Sequence, residues 1–399
     1  MRARFATFIL FALLSVLAVQ HASASERYFS TKATHAIIVD DASGVVLYDK
    51  NADMPIPPAS MSKLMTVAVV FDALQRGQIS LDTEFYVSEE AWRLGGSKMF
   101  VLVDTTIPVR DLLKGMIVAS GNDACLVVAQ NLTAPMVGRI DDESQLADPA
   151  DFVALMNRKA AEWGLADSSF ANPTGLPDPG QRMSLRDLAR LARHIIHTYP
   201  KYFEFFRLPE FTWSDITQLN RNPLIDGFDG AEGMKTGHTE EAGFGVVGSA
   251  TVNGQRRIMV LAGLGSMNER ASEANRVMGL AFSEFDTRKF FSAGEIVGEA
   301  EVFMGQVDTV PLKLRNDVSY TMHRRKLAGA RAELVYTGPL KAPLDANQQV
   351  AVLRIELPGE EVQEYPLFTS EQVRGIGLFG KLAEGAGALL TPPSAADIE

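Results

Sequence analysis

The sequence predicts an α+β chain, a helix-rich unit with antiparallel strands followed by a small all-β unit. Three observations predict it. Apolar residues recur at helical spacing between residues 60 and 75 and again between 109 and 130. An Asn-Gly pair separates two apolar runs between 244 and 264, and past Phe290 the chain becomes short alternating pieces punctuated by Gly, Pro and Asn. With 399 residues and 46% hydrophobic content, the chain is long enough for two domains and apolar enough for a packed core.

Taken in order, Ala36 to Asp40 and Val45 to Tyr48 read as short strands joined by the turn Asp41-Ala42-Ser43-Gly44. From Ser60 to Gln75, Leu64, Val67, Ala68, Phe71 and Leu74 mark a helix that Gly77 stops, which puts Ser60 in its first turn. Val109, Leu112, Leu113 and Met116 mark a second helix. It is interrupted at Ser120-Gly121-Asn122, an expected exposed corner, and resumes from Ala124 to Gln130. Asp141 to Asp151 reads as irregular and acidic, and Asn172 to Gly180, with its Pro and Gly residues, as a long loop. Ser184 caps a helix through Ile196. Phe244 to Val252 and Arg256 to Leu264 form a hairpin about Asn253-Gly254-Gln255, and Arg270 to Phe285 reads as a helix. Leu353, Ile355 and Leu357 alternate with Arg354 and Glu356 as in a half-buried strand.

The first residues have a different purpose. Met1-Arg2-Ala3-Arg4 is basic, Phe5 to Val19 is almost wholly apolar, and Ala22-Ser23-Ala24 offers a cleavage site, so residues 1–24 read as a secretory signal. No later segment offers the roughly 18 apolar residues of a membrane span, so an exported protein, soluble or peripheral, is expected. The single cysteine, Cys125, precludes an intramolecular disulfide and, within Ala124 to Val128, reads as a small buried hydrophobe. A formal net charge of -11 has the wrong sign for nucleic acid.

Three clusters carry the chemistry. In Ser60-Met61-Ser62-Lys63 the serine and lysine share a helix face, so the amine can reach the hydroxyl and take its proton, provided burial and cationic neighbours lower its pKa. Taken alone, Ser-x-x-Lys arises about once by chance in such a chain. Ser120-Gly121-Asn122 places two polar side chains between helices, and a bare Ser-x-Asn is usually a turn. Lys235-Thr236-Gly237 opens the antiparallel strands. Its lysine and threonine offer a cation and a hydroxyl to a carboxylate, and its glycine would let a ligand backbone approach the strand. An edge-strand lysine is the plain alternative.

In this order the clusters resemble the defining triplet of penicillin-binding proteins and serine β-lactamases. The longer stretches Ala119 to Cys125, and Asp229-Gly230 through Lys235-Thr236-Gly237-His238-Thr239, are similar to the low-molecular-mass D-alanyl-D-alanine carboxypeptidases. The resemblance implies a β-lactamase/transpeptidase-like catalytic domain over residues 25–290, its antiparallel sheet flanked by helices. An all-β domain over 291–368 and a tail over 369–399 follow. It also implies Ser60 as nucleophile on peptidoglycan stem pentapeptides, Lys63 as base, and Ser120 with Lys235 as proton relay. Asn122 would hold the substrate amide, and the backbone N–H groups of Ser60 and His238 the oxyanion. Lys235, Thr236, Gly237, His238, Arg221 and Arg270 would line the substrate site, with Arg270 reading the terminal carboxylate. Gly95 to Phe100 resembles a bordering loop. Penicillins would acylate Ser60, no cofactor or metal is called for, and the periplasm is the expected compartment.

Three other readings compete with this one. A class A β-lactamase needs a glutamate on the loop between the second and third clusters, and Asn172 to Gln181 has none. A metallopeptidase finds only His194 and His197 at ligand spacing, without His-Glu-x-x-His. A non-catalytic wall-binding protein would not need all three clusters. Many relatives end in an amphipathic helix on the inner membrane. Here Leu378 to Leu382 begins such a pattern, but Ala383 to Leu390 adds no basic or aromatic residue, which leaves peripheral membrane association open. Gly377 to Leu390 is expected to be a short helix.

Overall fold

A computed structural model describes residues 29–377. The secretory signal and nearly all of the expected tail helix lie outside the described residues. The centre is a five-stranded sheet in the spatial order Val46–Lys50, His35–Asp40, Gln255–Leu264, Gly243–Val252, Ala231–Thr239, antiparallel throughout. Side chains alternate between its faces, as the pleat requires. Ile37, Val39, Val247, Ile258 and Val260 join the larger core, while Ile38, Val246, Met259 and Leu261 join the smaller one on the other face. The hairpin turns on Asn253 and Gly254, both with positive φ (51° and 76°), as expected of Asn-Gly.

The Lys63–Gln75 helix lies within the larger core, against the helices Val109–Ile117, Asn122–Leu132, Pro149–Glu162 and Leu185–Thr198. From Lys63 to Leu74 only Asp72 is not buried, so the helix is apolar nearly all round. The Met267–Ser283 helix covers the other face of the sheet and ends before Phe285, which already belongs to the next strand. Pro149–Glu162 is a helix where an irregular stretch was expected up to Asp151. Asp148 caps it, its side chain accepting from the Ala150 N–H, and Pro149 opens it, the cap and first-turn proline that start a helix.

The C-terminal unit is a six-stranded sheet around its own apolar core, beside a two-stranded sheet formed by Phe285–Phe291 and Val318–His323. Leu353 and Ile355 are buried and Arg354 half-buried in Gln349–Glu356, the alternation the sequence predicts. Among the described residues of this unit, Arg324–Ala328 is a single short helix.

Candidate active site

Ser60 stands in a 3-10 turn, Ala59–Ser62, immediately ahead of the α-helix that Lys63 opens, and not in the α-helix itself. Ala59 has φ 49°, an uncommon conformation for a residue with a Cβ, and the Ser62 hydroxyl fastens the turn by donating to the Ala59 carbonyl at 2.9 Å. The spacing then does what the sequence implied: Lys63 Nζ lies 2.8 Å from Ser60 Oγ.

Two further groups surround the amine. Asn122 Oδ1 is 2.8 Å away and the Thr174 carbonyl 2.5 Å. Asn122 Nδ2 donates to the Gly95 carbonyl, which fixes the amide so that its oxygen faces the lysine. A neutral amine has two N–H donors and one lone pair. Two of the three neighbours are pure acceptors, so the lone pair is left for the Ser60 hydroxyl. Lys63 is fully buried, and burial, reinforced by the Arg221 cation, pushes its pKa down to about 8 against the pull of Asp123. Desolvation is the larger cause; the cationic neighbour adds to it.

Ser120 and Asn122 are 2% and 4% exposed, so the expected exposed corner is instead part of the site's floor. Ser120 takes φ 58° where the chain passes between two helices, and Lys235 Nζ donates to its hydroxyl at 2.9 Å and to the Thr236 carbonyl at 3.1 Å. Lys235 lies on the sheet's edge strand yet is 2% exposed, which removes the solvated edge-lysine reading. Its pKa is lowered well below the usual lysine value by burial first and then by Lys63 and Arg221. Gly237 makes room for the protein itself. A Cβ there would sit 2.9 Å from the Pro58 carbonyl and 3.1 Å from Ala59 Cβ, so the glycine lets the strand dock against the turn that carries Ser60.

Above this floor Ser60 opens onto two hollows. One, of about 580 Å³, is lined by Ser60, Ser120, Thr236, Gly237, His238, Arg221 and Arg270. Arg221 donates to Ser97 Oγ at 2.6 Å from the rim, whereas Arg270 is 6% exposed with an Nε that has no partner. The other hollow, of about 560 Å³, shares Ser60, Ser97 and His238 with the first, is lined by Thr174 to Asp178 and His238 to Glu241, and includes Asn122. Every site residue named from the sequence therefore gathers at one cleft, with Lys63 and Lys235 beneath it.

Two contributors lie outside the residues that the sequence clusters mark. The Thr174 oxygen on Lys63 is a backbone atom, which no residue type advertises; the only signal was the Pro173 and Gly175 on either side of it. Asp123, fully buried, accepts from the N–H groups of Met99, Phe100 and Val101 and so anchors the loop bordering the cleft. Cys125 is free and fully buried, and burial pushes its thiol up to about 11, so it packs as an apolar residue. His194 stacks on Trp163 while His197 meets Asp41 Oδ1 at 2.9 Å, so the two do not converge on one point. Among the described residues no group of three or more His, Cys, Asp and Glu side chains is placed to hold a metal, and no helix is long and apolar enough to cross a membrane.

Comparison with known proteins gives the same answer along most of the chain. The family model described as D-alanyl-D-alanine carboxypeptidase matches residues 19–265, and that described as penicillin-binding protein 5, C-terminal domain, matches residues 285–374. D-alanyl-D-alanine carboxypeptidase DacC of Escherichia coli is 34% identical over 88% of this chain and 87% of its own length. DacA of Haemophilus influenzae is 33% identical over 87% and 86%. Among solved structures, penicillin binding protein 5 from Haemophilus influenzae superposes with a TM-score of 0.67 at 32% identity, covering 87% of this chain and 98% of that one. DacD from Francisella tularensis gives 0.72 at 27% identity, covering 87% and 95%.

Proposed function

The chain belongs to the D-alanyl-D-alanine carboxypeptidase family, and on that premise we propose the residues by which it removes the terminal D-alanine from peptidoglycan pentapeptide stems. It is a serine-type D-Ala-D-Ala carboxypeptidase. The observation that carries the residue assignment is the contact between a wholly buried lysine amine and the Ser60 hydroxyl, with the amine's other two neighbours both acceptors.

In its neutral form Lys63 takes the Ser60 proton as Oγ attacks the carbonyl of the penultimate D-alanine. The oxyanion is held by the N–H groups of Ser60 and His238, both of which line the two hollows; loss of one such donor typically costs about 100- to 1,000-fold. As the C–N bond breaks, the proton reaches the leaving amine through Ser120 and Lys235, and D-alanine departs. Water then attacks the acyl-Ser60 ester and restores the hydroxyl. Arg270, buried with an unpaired Nε in the basic hollow, binds the terminal carboxylate, with Thr236, Gly237 and Arg221 beside it. One hydrogen of Asn122 Nδ2 is taken by Gly95, and the second serves a substrate carbonyl. β-Lactams acylate the same serine. The secretory signal at residues 1–24 delivers the enzyme to the periplasm for cell-wall maturation, and the tail beyond residue 377 decides whether it rests on the inner membrane.

Intact-protein mass spectrometry after penicillin treatment, with the adduct mapped, tests this directly. We expect one adduct on Ser60, and loss of both the adduct and D-alanine release in Ser60→Ala. An adduct elsewhere, or D-alanine release by Ser60→Ala, would sink the assignment.

A further inference from the structure

Arg270 is nearly buried, yet among the described residues its guanidinium makes no hydrogen bond or ion pair. Arg276, farther along the same Met267–Ser283 helix, is by contrast gripped by Glu273 at 2.6 and 3.0 Å. The acid next to Arg270 in sequence, Glu269, is turned elsewhere: it accepts from the Gly265 N–H at 2.7 Å and faces Lys32 at 3.7 Å. What Arg270 has is an aromatic face, for its guanidinium carbon lies over the Phe244 ring, 5.8 Å from the ring centre. The same ring stacks on His238, with centroids 3.8 Å apart and planes 25° from parallel. His238 and Phe244 stand directly opposite each other where Ala231–Thr239 pairs with Gly243–Val252, so the stack is a cross-strand pair fixed by the sheet. Phe244, His238 and Arg270 all line the basic hollow.

We propose that Phe244 is a positioning residue for the carboxylate end of the substrate, its ring holding the Arg270 guanidinium at the hollow and tying it to the strand of His238. A ring attracts a guanidinium through its negative face and uses none of the N–H groups, and the attraction strengthens where water is excluded. A carboxylate in the same place would neutralise the cation and occupy the donors that an anionic ligand needs. His238 supplies one of the two N–H groups assigned to the oxyanion, so one side chain fixes the spacing between the group that reads the leaving D-alanine and the group that meets the scissile carbonyl. The inference rests on the carboxypeptidase reading above and adds to it the residue behind the demand for a free C-terminal carboxylate.

The test compares two peptides, Nα,Nε-diacetyl-L-Lys-D-Ala-D-Ala and its C-terminal amide, which differ only in the group that faces Arg270. The quantity read is kcat/KM for release of D-alanine from the first and of D-alaninamide from the second. The unaltered enzyme is expected to favour the acid, and Phe244→Leu to reduce that preference about fivefold, mostly through KM for the acid. Phe244→Tyr, which keeps a ring, is expected to retain the preference. Pentafluorophenylalanine in place of Phe244 keeps the ring's shape and removes its negative face, so it is expected to lose the preference as Phe244→Leu does, and it decides the matter if leucine unsettles the fold. A loss that falls equally on both peptides is what simple packing would give, and it overturns the assignment, as does a preference that the fluorinated ring leaves intact or that Phe244→Tyr fails to retain. Equal rates on acid and amide in the unaltered enzyme overturn the carboxylate role of Arg270 and this inference with it, while the hydrolase stands. No D-alanine from the acid peptide overturns the carboxypeptidase reading itself.

Discussion

A lysine ammonium taken wholly out of water loses hydration that two carbonyls and a hydroxyl only partly replace, and at Lys63 that loss is what makes the residue useful. With its pKa near 8, a minor fraction is neutral at pH 7 and most of it is neutral at pH 9. Since only the uncharged amine accepts the Ser60 proton on the proposed route, acylation is expected to rise with pH, about tenfold per unit, and to level off above about 8. Stopped-flow measurement of penicillin acylation across pH 5–10 checks the sign: a rate that falls over this range would mean that the protonated lysine is the active form. The sequence made Lys63 a candidate by spacing. Its depth, and the Thr174 carbonyl that helps to orient it, depend on residues more than a hundred positions away.

At the scale of elements, the loop from Asn172 to Gly180 matters most for its size. Asn172 Oδ1 accepts from the Thr174 N–H, the Thr174 hydroxyl and the Gly175 N–H, so one side chain shapes the turn that presents the Thr174 carbonyl to Lys63. Thr66 on the Lys63–Gln75 helix donates to the Pro173 carbonyl at 2.6 Å and ties the loop to that helix. Gly175 has φ 78°, and a Cβ there would lie 2.1 Å from the Ala59 carbonyl. Gly175→Ala is therefore expected to cost at least about 2 kcal/mol, lower Tm by about 4 °C or more, and slow acylation of Ser60. Thermal unfolding and penicillin labelling of the variant, run side by side, would show it; native values in both would mean that the loop does not hold the nucleophile turn. Periodicity made the helices and the hairpin legible, but it also implied an amphipathic Lys63–Gln75 helix where the fold has one buried nearly all round. The apolar stripe is buried, and so are Val69 and Val70 outside it, because helices close over that side as well.

At the scale of the molecule, an acidic protein concentrates its cations where an anionic substrate end must bind. The formal net charge is -11, yet Lys63, Lys235, Arg221 and Arg270 converge on one cleft from four separate parts of the chain. On the proposed route the neutral Lys63 amine does the work of the base, and Arg221 and Arg270 supply the positive charge of the cleft. Excess chelator is accordingly expected to leave D-alanine release from a pentapeptide unchanged, and a chelator-sensitive rate, restored by added metal, would count against the serine–lysine route. The larger core and the smaller one, on opposite faces of one sheet, hold the helix that follows Ser60 and the helix that bears Arg270 in fixed relation.

What the sequence determined by itself was whatever depends on near neighbours. That includes the reach of Lys63 to Ser60 across one turn, the Asn253-Gly254 hairpin, the capped helices and the alternation of the C-terminal strands, because backbone geometry over a few residues dictates each of them. Family likeness added the expectation that the three clusters meet. Only the tertiary structure decided that Ser120 and Asn122 are buried, that Gly237 clears space for the nucleophile's own turn, and that Arg221 and Arg270 make one hollow at Ser60 basic. Those outcomes depend on backbone carbonyls and on side chains brought together from distant stretches. A carbonyl has no residue type to mark it, and the local sign of charge is a sum over groups that become neighbours only when the chain folds.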